Sequence, residues 1–138
     1  MKRAILVGAV LVLAACADTG INSSVQASNQ KMEAKGSPFR YVAQDSASMT
    51  LTLMPLPEGP TRAVPALAQK VIDAIAAEET RQKRSTASLE RVHYLQDGRE
   101  VWVLNTLGSG IAYVVAMENP ANPDSNIRMT GPTIYLKK

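Results

Sequence analysis

With one cysteine, one histidine and aromatic residues at only 4% of the chain, this protein is short of the side chains that staple, ligate and fill small domains. A single thiol cannot close an intrachain disulfide, and Cys/His zinc clusters are out of reach. His93, the sole histidine, would have to serve any nucleophilic triad. Its sequence neighbours include no cysteine and no serine in a nucleophile-elbow setting. Asp97 and Glu100 flank a turn, with nothing to drive their pKa values apart as an acid–base pair requires. No carboxylate spacing suggests a metal. The expectation is a protein with no catalytic residues, no metal and no cofactor. Basic residues gather only at Arg81, Lys83 and Arg84, which removes the electrostatic case for nucleic acid. No internal repeat is visible. The longest apolar run, Ala4 to Ala15, is twelve residues, far below the ~20 that a transmembrane helix needs.

That short run is itself informative. Lys2 and Arg3 precede it as a positive n-region, and it closes on the small pair Ala14 and Ala15, the layout of a secretory signal peptide. The chain then meets its only cysteine, Cys16. Leu13-Ala14-Ala15-Cys16 resembles the lipobox of bacterial lipoproteins, in which the cysteine thiol is acylated and the chain is cut just before it. The resemblance implies residues 1–15 as signal peptide and Cys16 as the lipidation site. Two acyl chains there supply the double anchor that stable membrane attachment needs. In enterobacterial lipoproteins an Asp directly after the cysteine resembles an inner-membrane retention signal. Ala17 occupies that position, so the resemblance implies the outer membrane, with the domain in the periplasm.

Removal of the signal changes the charge balance. The whole chain has 15 basic and 12 acidic residues; without Lys2 and Arg3 the count is 13 to 12, and the apparent basicity nearly vanishes. With the thiol carrying lipid, no cysteine is left for a disulfide or a metal. Residues 17–37 are rich in Ser, Asn, Gln, Ala and Gly and lack an evident period. They are expected to form a flexible tether with an r.m.s. reach of roughly 25 Å.

Residues 38–138 are expected to form one α+β domain: an antiparallel sheet of four to six strands with one amphipathic helix on one face, in the order ββ-α-βββ-β. Pro38–Gln44 and Ser48–Met54 read as extended. Met49, Leu51 and Leu53 alternate with Ser48, Thr50 and Thr52, and Asp45–Ala47 is either a turn between two strands or a bulge in one. Pro55, Pro57, Gly59 and Pro60 form a rigid connection. Val64, Leu67, Ala68, Val71, Ile72, Ile75 and Ala76 recur at the helical period, with Pro65 in the first turn. The basic group after Glu78 and Glu79 is either a solvated helix end or a lipid-headgroup contact. Leu89–Gln96 and Glu100–Thr106 flank Asp97-Gly98, the signal for a two-residue type I′ hairpin. That register pairs Tyr94 with Val101, His93 with Trp102, Val92 with Val103 and Arg91 with Leu104. Val92, Tyr94, Val101 and Val103 then make one apolar face. Ile111–Met117 is a central strand, after a loop with Gly110 in the left-handed conformation that puts Tyr113, Val115 and Met117 on the Val103 face. Ile127–Met129 and Thr133–Leu136 read as two short strands interrupted by Gly131-Pro132. The terminal lysines discourage edge-to-edge aggregation.

One helix cannot cover both apolar faces of such a sheet. Curling into a half-barrel, homo-oligomerisation or a protein partner would each cover the rest. In the hairpin register above, Arg91, His93, Trp102 and Leu104 share the face opposite Val103. They are the candidate partner-binding residues, of types enriched where interfaces concentrate binding energy; the alternatives are Trp102 packed under the helix and His93 as a cross-strand packing partner. Two functions follow from the address. One is a non-catalytic accessory or assembly component of an envelope complex for secretion, conjugation or outer-membrane assembly. The other is a tethered binding module for a soluble ligand or protein, such as a hydrolase inhibitor, with contacts from loops around Gly108 and Pro120–Asp124.

Overall fold

The computed structural model describes residues 20–84, 88–105 and 109–137. Cys16 with its signal region, and Gly108, lie outside them. The chain divides into two compact units, Met1–Thr52 and Leu53–Lys138.

In the first unit the expected tether is largely helical. Helix α1 runs Gly20–Ala34. Ile21, Val25, Ser28, Asn29 and Met32 form a half-buried stripe at helical spacing, although no residue of the helix is fully buried. The Asn29 side chain behaves like a strand residue: its Oδ1 accepts from Tyr41 N–H at 2.6 Å and its Nδ2 donates to Tyr41 O at 3.0 Å. This clamps α1 onto β1 (Phe39–Ala43), which pairs with β2 (Met49–Leu53) in a two-stranded sheet. Asp45–Ala47 is a turn between these strands. Asp45 Oδ1 accepts from the N–H groups of Ala47 and Ser48, and the Gln44 N–H closes on Ser48 O. Gly36, at φ +67, ends α1 with the paired bonds of a Schellman motif, Ser37 N–H to Met32 O and Gly36 N–H to Glu33 O.

The second unit is a five-stranded antiparallel sheet with one helix, and the chain as a whole is α+β. Strand order follows the sequence: β3 (Glu58–Gly59), β4 (Leu89–Tyr94), β5 (Glu100–Leu104), β6 (Ser109–Met117) and β7 (Ile127–Leu136). Within the proline-rich connection, β3 adds a short edge pairing, Glu58 with His93 and Gly59 with Val92. Helix α2 (Pro65–Arg81) has Pro65 in its first turn, as expected. It buries Leu67, Val71, Ile75 and Glu79, a stripe at strict i+4 spacing that ends on a carboxylate.

The hairpin register departs from expectation. Leu95 N–H donates to Arg99 O, Gly98 N–H donates to Leu95 O, and only Gly98 has positive φ, at +91. The loop is therefore the three residues Gln96-Asp97-Gly98, with glycine alone in the left-handed region, rather than a type I′ pair that would also force Asp97 there. The observed partners are Val92 with Trp102, His93 with Val101, Arg91 with Val103 and Leu89 with Leu104. A one-residue shift exchanges the faces of β5 relative to β4. Val92, Trp102, Leu104, Ile111, Tyr113 and Val115 now form one surface against Val71 and Ile75 of α2. Val101, Val103 and Ala112 lie buried on the reverse.

Two further corrections concern glycine and proline. Gly110 sits inside β6 without a positive φ; a Cβ there would collide with the Tyr135 ring that covers it. Gly131-Pro132, a cis peptide, does not divide two strands: β7 is continuous, and the pairing skips from Ala112–Thr133 to Val114–Thr130. Gly131 has φ +125, and a Cβ would press on Ala112 O, so only glycine suits the position. Lys137 Nζ at the end of β7 lies 2.7 Å from Glu90 Oε2 at the start of β4, an ion pair that reaches across the sheet.

Candidate functional site

Where the C-terminal half of α2 lies over the sheet, the two surfaces part slightly and leave an apolar cleft of about 70 Å³, lined by Ile72, Ile75, Ala76, Glu79, Leu89, Trp102 and Leu104. Its floor follows from register. Leu89, Leu104, Ile111 and Ile134 pair successively across β4 to β7 and form one aliphatic row. The inner pair is buried, whereas Leu89 is 39% and Ile134 55% exposed. Ile72 belongs to the helical apolar pattern but falls beside the i+4 stripe, so it is 41% exposed and forms the cleft's rim with Leu89. The volume equals roughly two waters' share of liquid, at ~30 Å³ each, room for one short aliphatic tip.

Charge at the cleft wall is neutralised internally. Glu79, 3% exposed, accepts from Arg84 Nε at 2.9 Å and Arg84 Nη2 at 2.5 Å, a bidentate fork, and from the Tyr113 hydroxyl at 2.5 Å. Arg84 reaches back because α2 ends in a second Schellman motif, Arg84 N–H to Glu79 O and Lys83 N–H to Thr80 O, with Lys83 at φ +58 in glycine's usual place. The Arg84 hydrogen bonds hold the Glu79 carboxyl below its ordinary pKa despite burial. Burial, and then the bond to Glu79, push the Tyr113 phenol up. Arg81 is likewise paired with Glu78 at 2.6 Å. Two of the three cations considered for headgroup contact are thus committed to the acidic pair beside them.

The four predicted partner residues do not form one exposed face. Trp102 is completely buried and Leu104 nearly so, both under α2 and on the cleft floor. His93 faces the other way, buried against Val101 rather than Trp102, with Nδ1 3.3 Å from Leu56 O. Arg91 alone is well exposed and ion-paired, 3.5 Å from Glu58 and 3.3 Å from Glu90. The register shift explains the separation, since the four share a face only in the two-residue turn.

Glu100, expected at the start of a strand beside the turn, is a fully buried carboxylate. It accepts from Thr61 Oγ1 at 2.7 Å, Arg62 N–H at 2.9 Å and Trp102 Nε1 at 3.1 Å. Together with the Tyr94 hydroxyl on Pro60 O and the Arg62 guanidinium stacked 4.3 Å from the Tyr94 ring centroid, it pins the 57–62 connection to the sheet. Asp97 instead closes its own turn, bonding Arg99 N–H at 3.1 Å and Arg99 Nε at 2.7 Å. These two carboxylates serve separate structural ends.

The Pro120–Asp124 loop is also tied down. Pro120 O accepts from Val64 N–H, the Asn119 and Asn122 side chains accept from Ala121 and Asp124 N–H, and Lys70 Nζ reaches Ser125 O. Among the described residues, no group of three His, Cys, Asp or Glu could hold a metal ion. Nor is any described helix long and apolar enough to cross a membrane. No known family model, no curated protein and no solved structure matches the chain.

Proposed function

We propose that this protein is a lipid-anchored, non-catalytic accessory of a bacterial envelope complex for secretion, conjugation or outer-membrane assembly, held to the outer membrane through acylated Cys16 with its domain in the periplasm. The observation that carries the reading is the N-terminal sequence: Lys2-Arg3, an apolar run of twelve residues, then Leu13-Ala14-Ala15-Cys16. The chemistry of the second unit agrees with it. Its two buried carboxylates, Glu79 and Glu100, are spent on arginine, tyrosine, tryptophan, threonine and backbone donors that fasten one element to another. The described surface best suited to a partner is the cleft rimmed by Ile72 and Leu89, which takes an aliphatic side chain of an envelope protein.

The test is metabolic labelling with a fatty acid. The wild-type chain incorporates the label and sediments with outer membranes, and Cys16→Ser does neither; label that persists in Cys16→Ser removes the lipoprotein reading. Replacing the lipobox with an ordinary secretory cleavage site releases the same domain into the periplasm. An accessory fails when released, whereas a module that captures soluble targets keeps its activity.

A further inference from the structure

Helix α1 sets how far the folded chain can stand from its anchor, an inference that rests on the lipidation of Cys16. A coil of about twenty residues would let the domain swing on a reach of roughly 25 Å. The chain is already helical at Gly20, which leaves Ala17, Asp18 and Thr19 between anchor and helix. Whatever path those residues take, Gly20 is no more than ~14 Å from Cys16, the contour of four residues. Beyond it there is little slack. Fifteen helical residues form a rod of ~22 Å, fastened to β1 through the Asn29–Tyr41 pair and closed at Gly36.

The composition of this rod suits a surface carrying anionic phosphates. From Gly20 to Gln30 there is no charged residue, and the first charges are Lys31 and Glu33, towards the far end. Asn22, Ser23, Gln26 and Gln30 are exposed, neutral and hydrogen-bonding. Such a face meets headgroups without like-charge repulsion, but it lacks the lysines and arginines that would each add ~1 kcal/mol of attraction. Attachment must therefore come from the lipid. We propose that the first turns of α1 are apposed to the lipid headgroup layer in the acylated protein, so that the first unit rides on the membrane instead of hanging from a long tether.

The experiment uses the full-length acylated protein with Asn22→Cys. Cys16 is blocked by lipid, so residue 22 is the single free thiol and takes one fluorophore. The protein is reconstituted into phosphatidylethanolamine–phosphatidylglycerol vesicles carrying a quencher on the headgroups. The expected result is strong quenching that falls by about half or more when twenty Gly/Ser residues, a reach of ~25 Å, are inserted between Thr19 and Gly20. Equal quenching with and without the insertion, strong or weak, overturns the short stand-off. A chain that shows two free thiols and does not bind vesicles instead overturns the lipidation on which the inference rests, so the two failures are distinguishable.

Discussion

Arg84→Ala is the sharpest test of how the helix is held to the sheet. The substitution removes both guanidinium donors from Glu79 and leaves a carboxylate that is 3% exposed with only the Tyr113 hydroxyl as partner. Deleting one member of a buried ion pair costs ~3–5 kcal/mol, because the other is left buried and uncompensated. Here the Arg84 side chain is itself 27% exposed, so water enters when it is truncated and the cost falls below that range, to ~2–3 kcal/mol. Against a domain stability of ~5–15 kcal/mol this is a large fraction. At ~4–8 °C per kcal/mol for a unit of this size, Tm should fall by ~10–20 °C. Acid adds a second signature. Glu79 titrates below its ordinary value of 4.5 in the folded chain, chiefly because of its Arg84 hydrogen bonds. The stabilisation is therefore complete above that ordinary value and lost as pH falls through the lower folded one. Urea unfolding of wild type should weaken on acidification through this window, and Arg84→Ala should show a shallower dependence there. The triple variant Glu79→Leu/Arg84→Met/Tyr113→Phe, which also removes the buried hydroxyl that Glu79 accepts from, should recover most of the loss at neutral pH, since packed apolar side chains substitute well for a buried salt bridge. A loss under ~1 kcal/mol for Arg84→Ala, or no rescue by the triple variant, would refute the reasoning.

Trp102→Ala should cost ~3–5 kcal/mol of stability, because it empties the largest side chain from under α2 and strips a donor from Glu100; a mutant that melts like wild type would show that Trp102 is not core. Val103→Asp should also unfold the domain, since Val103 is buried on the face away from α2 and an unpaired carboxylate there costs several kcal/mol; circular dichroism at 25 °C reads this directly. Lys83→Gly should raise stability by ~0.5–1 kcal/mol, because glycine takes a left-handed position that strains lysine, and a lowered Tm would contradict the capping geometry. Ile72→Asp/Leu89→Asp changes exposed rim residues only, so Tm should shift little while recovery of the envelope partner drops about thirtyfold or more, the ~2 kcal/mol typical of an interface anchor; unchanged recovery would exclude the cleft as the docking site.

The local signals that survived were those carried by strong periodicity or by backbone chemistry. The Val64–Ala76 pattern with Pro65 gave α2, alternation at Met49–Leu53 gave β2, and the apolar run at Ile111–Met117 gave the inner strand β6. Helix α1 escaped because its stripe contains only Ile21, Val25 and Met32 among polar residues, and its main tertiary fastening is an asparagine acting as a piece of strand. Composition suggested coil, yet spacing and Gly36 held the helix signal.

What the sequence alone determined, then, was the identity of α2, of β1, β2, β4, β5 and β6, and the strand-turn-strand at Asp97-Gly98, because propensity, periodicity and turn chemistry act over a few residues. Tertiary structure decided which face each side chain occupies. A two-residue and a three-residue turn are both compatible with Gln96-Asp97-Gly98, and they differ by one residue of register. Only the longer turn places Trp102, Leu104, Tyr113 and Val92 together against Val71 and Ile75. The same packing brings Glu79 to Tyr113, and Glu100 to Thr61 and Arg62. These partners are 34, 39 and 38 residues apart in the chain, beyond any local rule, and they meet only because burying the large apolar side chains fixes which carboxylates must find donors inside.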